Sequence, residues 1–255
     1  MLLQERLEFI DSLASLPTLI TPRTFARHPD DIPPHDINKP TASVMPDTID
    51  VFLPGISQET IDDVNLCKLV MQNAATKLYP DDAQLFEWYK YYVDGLKKLG
   101  WIIQNKDIQE VTINRVGLTM DQVALEVATS LIGGNAAYTL ANVAKKAVET
   151  VQDNVKAIEI FNRNNKLGAQ AKFDIAPVWV DANKQANMVL NCISLDARES
   201  TRGILFWKST KQTTSIKTGA VRTYLDNKVF ASLRDAIYSK YSEAGKKFIE
   251  ELPDF

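Results

Sequence analysis

The chain has 255 residues, of which 45% are hydrophobic and 24% are charged. This is the composition of an ordinary globular protein, and a chain of this length buries enough surface to fold without a disulfide or a metal. The formal net charge of -3 argues against a dedicated nucleic-acid binder, because such proteins carry a basic excess that neutralises phosphates. No run of about 18 apolar residues occurs, so no membrane-spanning helix is predicted.

The N-terminal residues do not resemble a Sec signal peptide. Glu5 and Arg6 introduce charge early, and no apolar core followed by a small-residue cleavage site is present. We therefore expect synthesis in the cytoplasm without a Sec signal, and any release from the cell by a non-classical route.

A proline-rich segment dominates the first 56 residues. Eight of the 11 prolines precede Ser57, and proline lacks an N–H donor and biases the preceding residue toward extended conformations. We predict a short helix over Gln4–Leu13 and an irregular arm over Pro22–Pro54, which contains His28 and His35. Residues 1–56 are predicted to form an arm, and residues 57–255 a single α+β domain.

Two helices and a strand are predicted next. Ser57 is available as an N-cap for a helix whose apolar residues recur at steps of three and four until Pro80. A second amphipathic helix follows, with Asp81 or Asp82 as its cap and Gly100 as its end. Residues 101–116 alternate well enough to form a strand.

A pair of helices is predicted in the middle of the chain. Thr119 and Gln122 have the spacing of a capping box, which indicates that a helix begins there. Gly133-Gly134 breaks this helix, and a longer one is predicted over Asn135–Asn162.

After Gly168 the apolar period changes from that of a helix to that of a strand. Four strands are predicted, and a final helix follows Asp226; the strands are Ala169–Val180, Asn187–Leu195, Gly203–Ser209 and Ser215–Tyr224. The short polar links between them suit antiparallel pairing. The fold class is therefore predicted as α+β, an antiparallel β-sheet covered by helix layers in an α/β/α arrangement.

No motif in the sequence predicts catalysis or metal binding. Both histidines lie in the predicted arm, whereas a catalytic base must be held within reach of its proton by a rigid scaffold. Cys67 and Cys192 are 125 positions apart, without the clustering that zinc sites show. We predict no enzyme activity, no metal and no cofactor other than a bound lipid or fatty acid. An enzyme of unfamiliar type stays open, because a working pair of carboxylates cannot be distinguished from surface charge in sequence.

Two segments are candidates for surface binding. Between Asp196 and Arg222 there are six basic residues against two acidic ones, which could meet anionic lipid headgroups or could simply face solvent. The aromatic segment Glu87–Tyr92 has four aromatic residues in five positions of a helix, which could pack on the arm or bind a partner. The lipid-binding candidates are Arg202, Lys208, Lys211, Lys217 and Arg222.

The element order resembles the cytolysin fold shared by the Cyt δ-endotoxins, volvatoxin and the Erwinia virulence factor Evf. The residues that carry the resemblance are the helix pair broken at Gly133-Gly134 and the strand sequences 173–179, 188–195 and 204–208. The resemblance implies a sheet wrapped by helices, with a helical hairpin just before the long strands. Evf carries an acylated cysteine, and acylation of Cys67 or Cys192 is left open because neither lies in a matching motif.

Two functional hypotheses follow. The first is a non-enzymatic bacterial toxin-like or virulence-associated protein that adsorbs to anionic membranes through its basic strand ends and exposes the apolar faces of the 120–162 hairpin. The second is a structural or interaction protein, which forms a homo-oligomer or docks into a larger assembly through residues 1–56 and the aromatic helix.

Overall fold

The computed structural model of the chain describes residues 1–16, 35–81, 84–113, 117–119, 121–126, 134–155, 158, 170–196 and 214–241. Its helices are α1 (Leu3–Ser12), α2 (Gln58–Leu78), α3 (Leu85–Lys98), α4 (Gly134–Gln152) and α5 (Asn227–Ala231). Its strands are β1 (Thr41–Met45), β2 (Thr48–Phe52), β3 (Trp101–Ile113), β4 (Gln170–Val180), β5 (Ala186–Asp196) and β6 (Thr214–Leu225). Residues 121–126 and 234–241 are also helical.

Within the described residues, six strands form one sheet in the order β1-β2-β4-β5-β6-β3. Of the five strand pairs among these residues, four are antiparallel and β2 with β4 is parallel. The predicted α+β class, with a mostly antiparallel sheet and helices, is therefore confirmed. Three of the four late strands lie where the sequence places them, and the predicted strand Gly203–Ser209 lies outside the described residues.

The prediction of an irregular arm is wrong for residues 41–52, which form the hairpin of β1 and β2. Pro40, Pro46 and Pro54 lie at the ends of these strands, where a missing N–H donor breaks no ladder bond. The hairpin turns at Pro46 and Asp47, and Asp47 adopts a φ of 60°. Because β2 pairs with β4, this part of the proline-rich segment belongs to the same sheet as the late strands.

Local sequence signals explain the ends of the first long helices. The Ser57 hydroxyl accepts the Thr60 N–H at 3.2 Å, and α2 then runs to Leu78, as predicted. The expected aspartate cap of α3 is wrong, because Gln84 occupies the N-cap position without a capping side-chain hydrogen bond. Gly100 follows the end of this helix with a φ of 101°, a conformation that glycine adopts without strain.

Helix α4 lies against the hairpin of β1 and β2. It is interrupted after Gln152, but Val155 and Ile158 are helical again, within the predicted range that extends to Asn162. The glycine break before it lies largely outside the described residues. The short helix at 121–126 begins as the capping box predicts, because the Gln122 side chain accepts the Thr119 N–H at 3.0 Å. Along β1 and β2, Val44, Ile49 and Val51 alternate with the residues that bond to α2, so they lie on the opposite face of the sheet, and they are fully buried.

The last helix is divided into two parts. The Asp226 carboxylate caps α5 by accepting the N–H groups of Lys228 and Val229, as the sequence predicts. A turn at residues 232–233 separates α5 from the helical residues 234–241. Leu233, Ile237 and Tyr241 are buried in the same core as the sheet.

Candidate functional site

A stripe of polar side chains runs along the face of α2 that meets the sheet. Asn65, Lys68 and Gln72 recur at steps of three and four, so they lie on one side of the helix, and all three are buried. The Asn65 amide donates to the Ser43 hydroxyl at 3.0 Å. The Gln72 amide donates to the Pro46 carbonyl at 3.1 Å and to the Thr48 hydroxyl at 3.0 Å. The two ends of the stripe thus fix α2 to the β1–β2 hairpin.

Lys68, at the centre of the stripe, meets two carboxylates. Its Nζ donates to Asp50 Oδ1 in direct contact and lies 3.9 Å from Asp174 Oδ2. The side chains of Lys68 and Asp50 are 0% exposed, and that of Asp174 is 9% exposed. One ammonium group and two carboxyl groups therefore share a site from which water is almost entirely excluded, which we call the Lys68 cluster.

The parallel pairing of β2 with β4 brings the two carboxyls together. Thr48 lies opposite Asp174 and Asp50 opposite Ala176, so Asp50 and Asp174 are diagonal neighbours on the same face of the sheet. This juxtaposition depends on a strand that lies within the proline-rich segment. It could not be predicted while that segment was interpreted as irregular.

Asn191 holds Asp174 from the neighbouring strand β5. The Asn191 N–H donates to Asp174 Oδ1 at 3.0 Å, and the Asn191 side-chain amide donates to the Ile175 carbonyl at 2.9 Å. The pairing of β4 with β5 runs to Phe173 and resumes only at Val178. Side-chain hydrogen bonds therefore connect the two strands where the regular ladder is interrupted.

Burial shifts the pKa values of the acidic groups in the cluster. Burial raises the pKa of Asp174 to about 7, because the charge of Lys68 opposes desolvation only in part and the charge of Asp50 adds to it. Burial also raises the pKa of Asp50, against the opposing charge of Lys68. The pKa of Tyr92 lies well above its usual range because its hydroxyl is buried and because it feels both carboxylates. Near neutral pH the cluster therefore tends to hold a proton on its second carboxyl.

The chemistry available to this site is internal to the chain. An amine in contact with one carboxyl, beside a second carboxyl that titrates near pH 7, can share and transfer protons. Its exclusion from solvent leaves an external substrate no access in the folded state. The sequence does contain a signal for the site, because Asp50, Lys68 and Asp174 each interrupt an apolar run in a helix or strand.

A second polar cluster connects α2 with the helical residues 234–241. Asp63 Oδ1 accepts a hydrogen bond from Arg234 Nε at 3.0 Å and another from the Tyr238 hydroxyl at 2.8 Å. Arg234 also contacts Glu59, and its guanidinium lies over the Tyr238 ring. Asp63 is buried, whereas Glu59, Arg234 and Tyr238 are exposed or partly exposed. The cluster links two helices, which is a structural arrangement.

The predicted lipid-binding residues are described only in part. Arg202, Lys208 and Lys211 lie outside the described residues, as does the side chain of Lys217, whose backbone is in β6. Arg222 is half-buried, and its guanidinium lies 5.4 Å from the centre of the Trp179 ring. The structure therefore brings Arg222 together with Trp179, and lipid binding by these five residues stays a prediction.

The two acylation candidates differ in what the structure describes. The Cys67 thiol is fully buried in α2, and burial raises its pKa, so the reactive thiolate is disfavoured. Acylation at Cys67 would therefore require α2 to open. Cys192 lies in β5 opposite Gly219, and its side chain is outside the described residues.

Two elements considered for partner docking are engaged within the chain itself. Arg6 of α1 donates to the Lys97 and Lys98 carbonyls at 2.9 and 2.7 Å, which satisfies the end of α3. In the aromatic helix, Trp88, Tyr89 and Tyr92 are buried. The Tyr89 hydroxyl donates to the Leu190 carbonyl of β5 at 2.9 Å. These three aromatic side chains therefore pack in the core.

Comparison with known proteins adds a distant likeness. No family model matches the sequence, and no curated protein matches it. Among solved structures, the chain is similar to the Evf virulence factor at 10% identity and a TM-score of 0.37, over 74% of this chain and 72% of the other. This is a distant relationship of fold only, so neither residues nor activities are transferred. Membership of the wider cytolysin family, including the Cyt toxins, stays a prediction.

In the part of the chain that the structure describes, no helix is long and apolar enough to span a membrane. Within the same residues, no group of three or more histidine, cysteine, aspartate or glutamate side chains is placed to hold a metal ion.

Proposed function

We propose that this protein acts without catalysis at anionic lipid membranes, by releasing α4 from the sheet and laying its apolar face in the membrane interface. The observation that carries this proposal is the difference between the two helix attachments. Helix α2 is anchored to the sheet by the buried polar stripe and the Lys68 cluster. The buried residues of α4 in the described region are all apolar: Leu140, Ala144, Ala147, Val148 and Val151.

This difference makes α4 the helix more easily exchanged between protein and lipid. Apolar contacts are non-directional, and a lipid interface can replace them, whereas buried hydrogen bonds and ion pairs lose their partners when a helix departs. The outer face of α4 carries Lys145, Lys146 and Glu149, which suits a helix lying in an interface with its polar side toward water. The exposed Tyr138, 74% accessible, adds an amphipathic ring near the start of this helix.

Two matched substitutions test the release of α4. Val151→Ala in α4 and Val70→Ala in α2 remove the same atoms from residues that are 0% and 1% exposed. Each should lower stability by roughly 1–3 kcal/mol through the lost burial and the cavity left behind. If release of α4 limits membrane action, Val151→Ala should accelerate dye release from vesicles containing phosphatidylserine, and Val70→Ala should do so much less.

The first test of the proposal is vesicle binding by the wild-type protein. Co-sedimentation and dye release are measured with phosphatidylserine vesicles and with neutral phosphatidylcholine vesicles, from pH 5 to 8. The proposal expects binding to the anionic vesicles and weaker binding to the neutral ones. Absence of binding to both, or equal acceleration by the two valine variants, would overturn it. Release from the producing cell by a non-classical route is part of the same proposal.

A further inference from the structure

The Lys68 cluster combines the groups needed to form an amide bond between two side chains. The Lys68 Nζ touches the Asp50 carboxylate, and both side chains are 0% exposed. Asp174 Oδ2 lies 3.9 Å from the same nitrogen, and the Asn191 N–H fixes the other Asp174 oxygen at 3.0 Å. A nucleophile, an acyl group and a third proton-carrying group are thus held together by three separate elements.

Burial raises the pKa of Asp50 and so favours its carboxylic acid form. A charged pair excluded from water is strongly desolvated, and transfer of one proton from the ammonium to the carboxylate gives a neutral amine and a neutral carboxylic acid. The neutral amine is the nucleophilic form of lysine, and the carboxylic acid is the electrophilic form of aspartate. In water both groups would be charged and unreactive toward each other.

We propose that Lys68 and Asp50 become joined by an intramolecular amide bond between Lys68 Nζ and Asp50 Cγ, assisted by the Asp174 carboxyl. In this step the Nζ–Cγ bond forms and one Cγ–O bond of Asp50 breaks. The departing hydroxyl takes one proton from the nitrogen and leaves as water. Nothing is oxidised or reduced, and no co-reactant is needed.

Asp174 supplies the proton transfer in this proposal. In its protonated form it can donate a hydrogen bond to the oxygen on which negative charge develops when Nζ attacks. It can then protonate the departing hydroxyl and take up the proton that the nitrogen loses, so that Asp174 ends the step as it began. The pKa of Asp174, raised by burial to about 7, keeps a large fraction of this group protonated at neutral pH. The hydrogen bond from Asn191 fixes the Asp174 side chain on the side of the cluster that faces Lys68.

The product removes buried charge that the ion pair leaves only partly compensated. Asp50 Oδ2 is buried and has no hydrogen-bond partner within the described residues. Loss of one carboxylate oxygen as water removes the charges of both Lys68 and Asp50 from the core. The bond would also fasten α2 to β2 covalently. The proposal does not depend on membrane action.

Mass spectrometry of the wild-type protein tests the bond directly. The intact mass should be lower than the sequence mass by one water molecule. Trypsin does not cleave before Pro40, so an unmodified chain gives peptides 28–68 and 69–77, with Asp50 and Lys68 in the first. An amide on Lys68 blocks cleavage there, which should leave the single peptide 28–77, one water lighter. Cyclisation of an aspartate also loses water but leaves Lys68 cleavable, and that result would overturn the proposal, as would an unchanged mass after incubation at pH 5 to 8.

The role of Asp174 is tested by the rate of bond formation in protein from short cell-free synthesis. Asp174→Asn keeps the oxygen that accepts from Asn191 but cannot transfer the proton, so the rate should fall on the order of 100-fold. Asp153→Asn, the same change at an exposed position, should leave the rate unaltered. The wild-type rate should also decline as pH rises through about 7, and Asp174→Asn should lack this decline. Equal rates in the two variants would show that Asp174 takes no part in the reaction. If Asp174→Asn does not fold, the mass of the wild-type protein still decides whether the bond forms.

Discussion

Asn191 donates its backbone N–H to the Asp174 carboxylate at 3.0 Å, in the stretch where the pairing of β4 with β5 is interrupted. Pro177 lies in that stretch of β4 and has no N–H to contribute to a ladder. The side chains of Asp174 and Asn191 thus connect two strands of the sheet, and the same carboxyl completes the Lys68 cluster. Sheet integrity and the electrostatics of the core therefore depend on one aspartate.

Stability should decrease as pH rises through the range in which Asp174 titrates. The pKa of Asp174 is about 7 in the folded protein against an ordinary value of 3.8. Between these two pKa values the folded state holds a proton that the unfolded state has lost. The contribution of Asp174 to the free energy of unfolding is therefore complete below about pH 4 and is lost as pH approaches 7. The slope is at most about 1.4 kcal/mol per pH unit.

Urea unfolding from pH 4 to pH 8 measures this dependence. Lys68, Asp50 and Tyr92 are the titratable groups around Asp174. In protein whose Lys68–Asp50 amide bond has not formed, Asp50, whose pKa is also raised, contributes with the same sign. Asp174→Asn should weaken the dependence of the unfolding free energy on pH and leave only the part that comes from the other groups. A wild-type protein that gains stability between pH 5 and pH 7 relative to Asp174→Asn would contradict the assignment.

Removal of the Lys68 amine should be strongly destabilising. Lys68→Met leaves two buried carboxyls without their cation, and relative to wild-type protein in which the amide bond has not formed this costs about 3–5 kcal/mol. Lys145 offers a matched control, because its 4.0 Å pair with Glu149 lies on the surface, with the side chains 71% and 60% exposed. Lys145→Met should therefore change stability by less than about 0.5 kcal/mol. Denaturant midpoints of the two variants provide the comparison.

Most of the fold was predictable from local periodicity and capping. Ser57, Gln122 and Asp226 each make the capping contact that their sequence context indicates. The late strands begin and end within a few residues of their predicted bounds where they are described. These signals are local, since each depends on residues one to four positions apart.

The Lys68 cluster was not predictable because its geometry is non-local. Asp50, Lys68 and Asp174 become neighbours only through the parallel pairing of β2 with β4. The many prolines predict irregular structure where β2 lies, although the prolines flank this strand and none lies inside it. A charged residue inside each of three apolar runs was the available signal, and it identifies buried charges without saying which of them meet.

The Asp63 cluster predicts a contrast between two tyrosines in the helical residues 234–241. The Tyr238 hydroxyl donates to Asp63 at 2.8 Å, so Tyr238→Phe should lower stability by about 1.5–3 kcal/mol, the usual contribution of a hydrogen bond to a charged group. The Tyr241 hydroxyl is buried without a partner within the described residues, so Tyr241→Phe should be neutral or stabilising. Thermal unfolding of both variants checks this. Equal losses would mean that the Asp63 bond contributes little.

Gly95 should resist substitution although alanine is the better helix former. It faces Met71 where α2 and α3 approach closely, and a Cβ at this position would lie 2.7 Å from the Met71 sulfur and closer still to its terminal methyl. These atoms are the flexible end of the Met71 side chain, which is 0% exposed and must shift within the packed core, so Gly95→Ala should destabilise by about 1 kcal/mol through overpacking. In the Met71→Ala background the space is open, and the same change should be harmless or should gain up to about 1 kcal/mol from helix propensity. A double-mutant cycle by urea unfolding measures the coupling, and additive effects would show that the two helices can separate at this point.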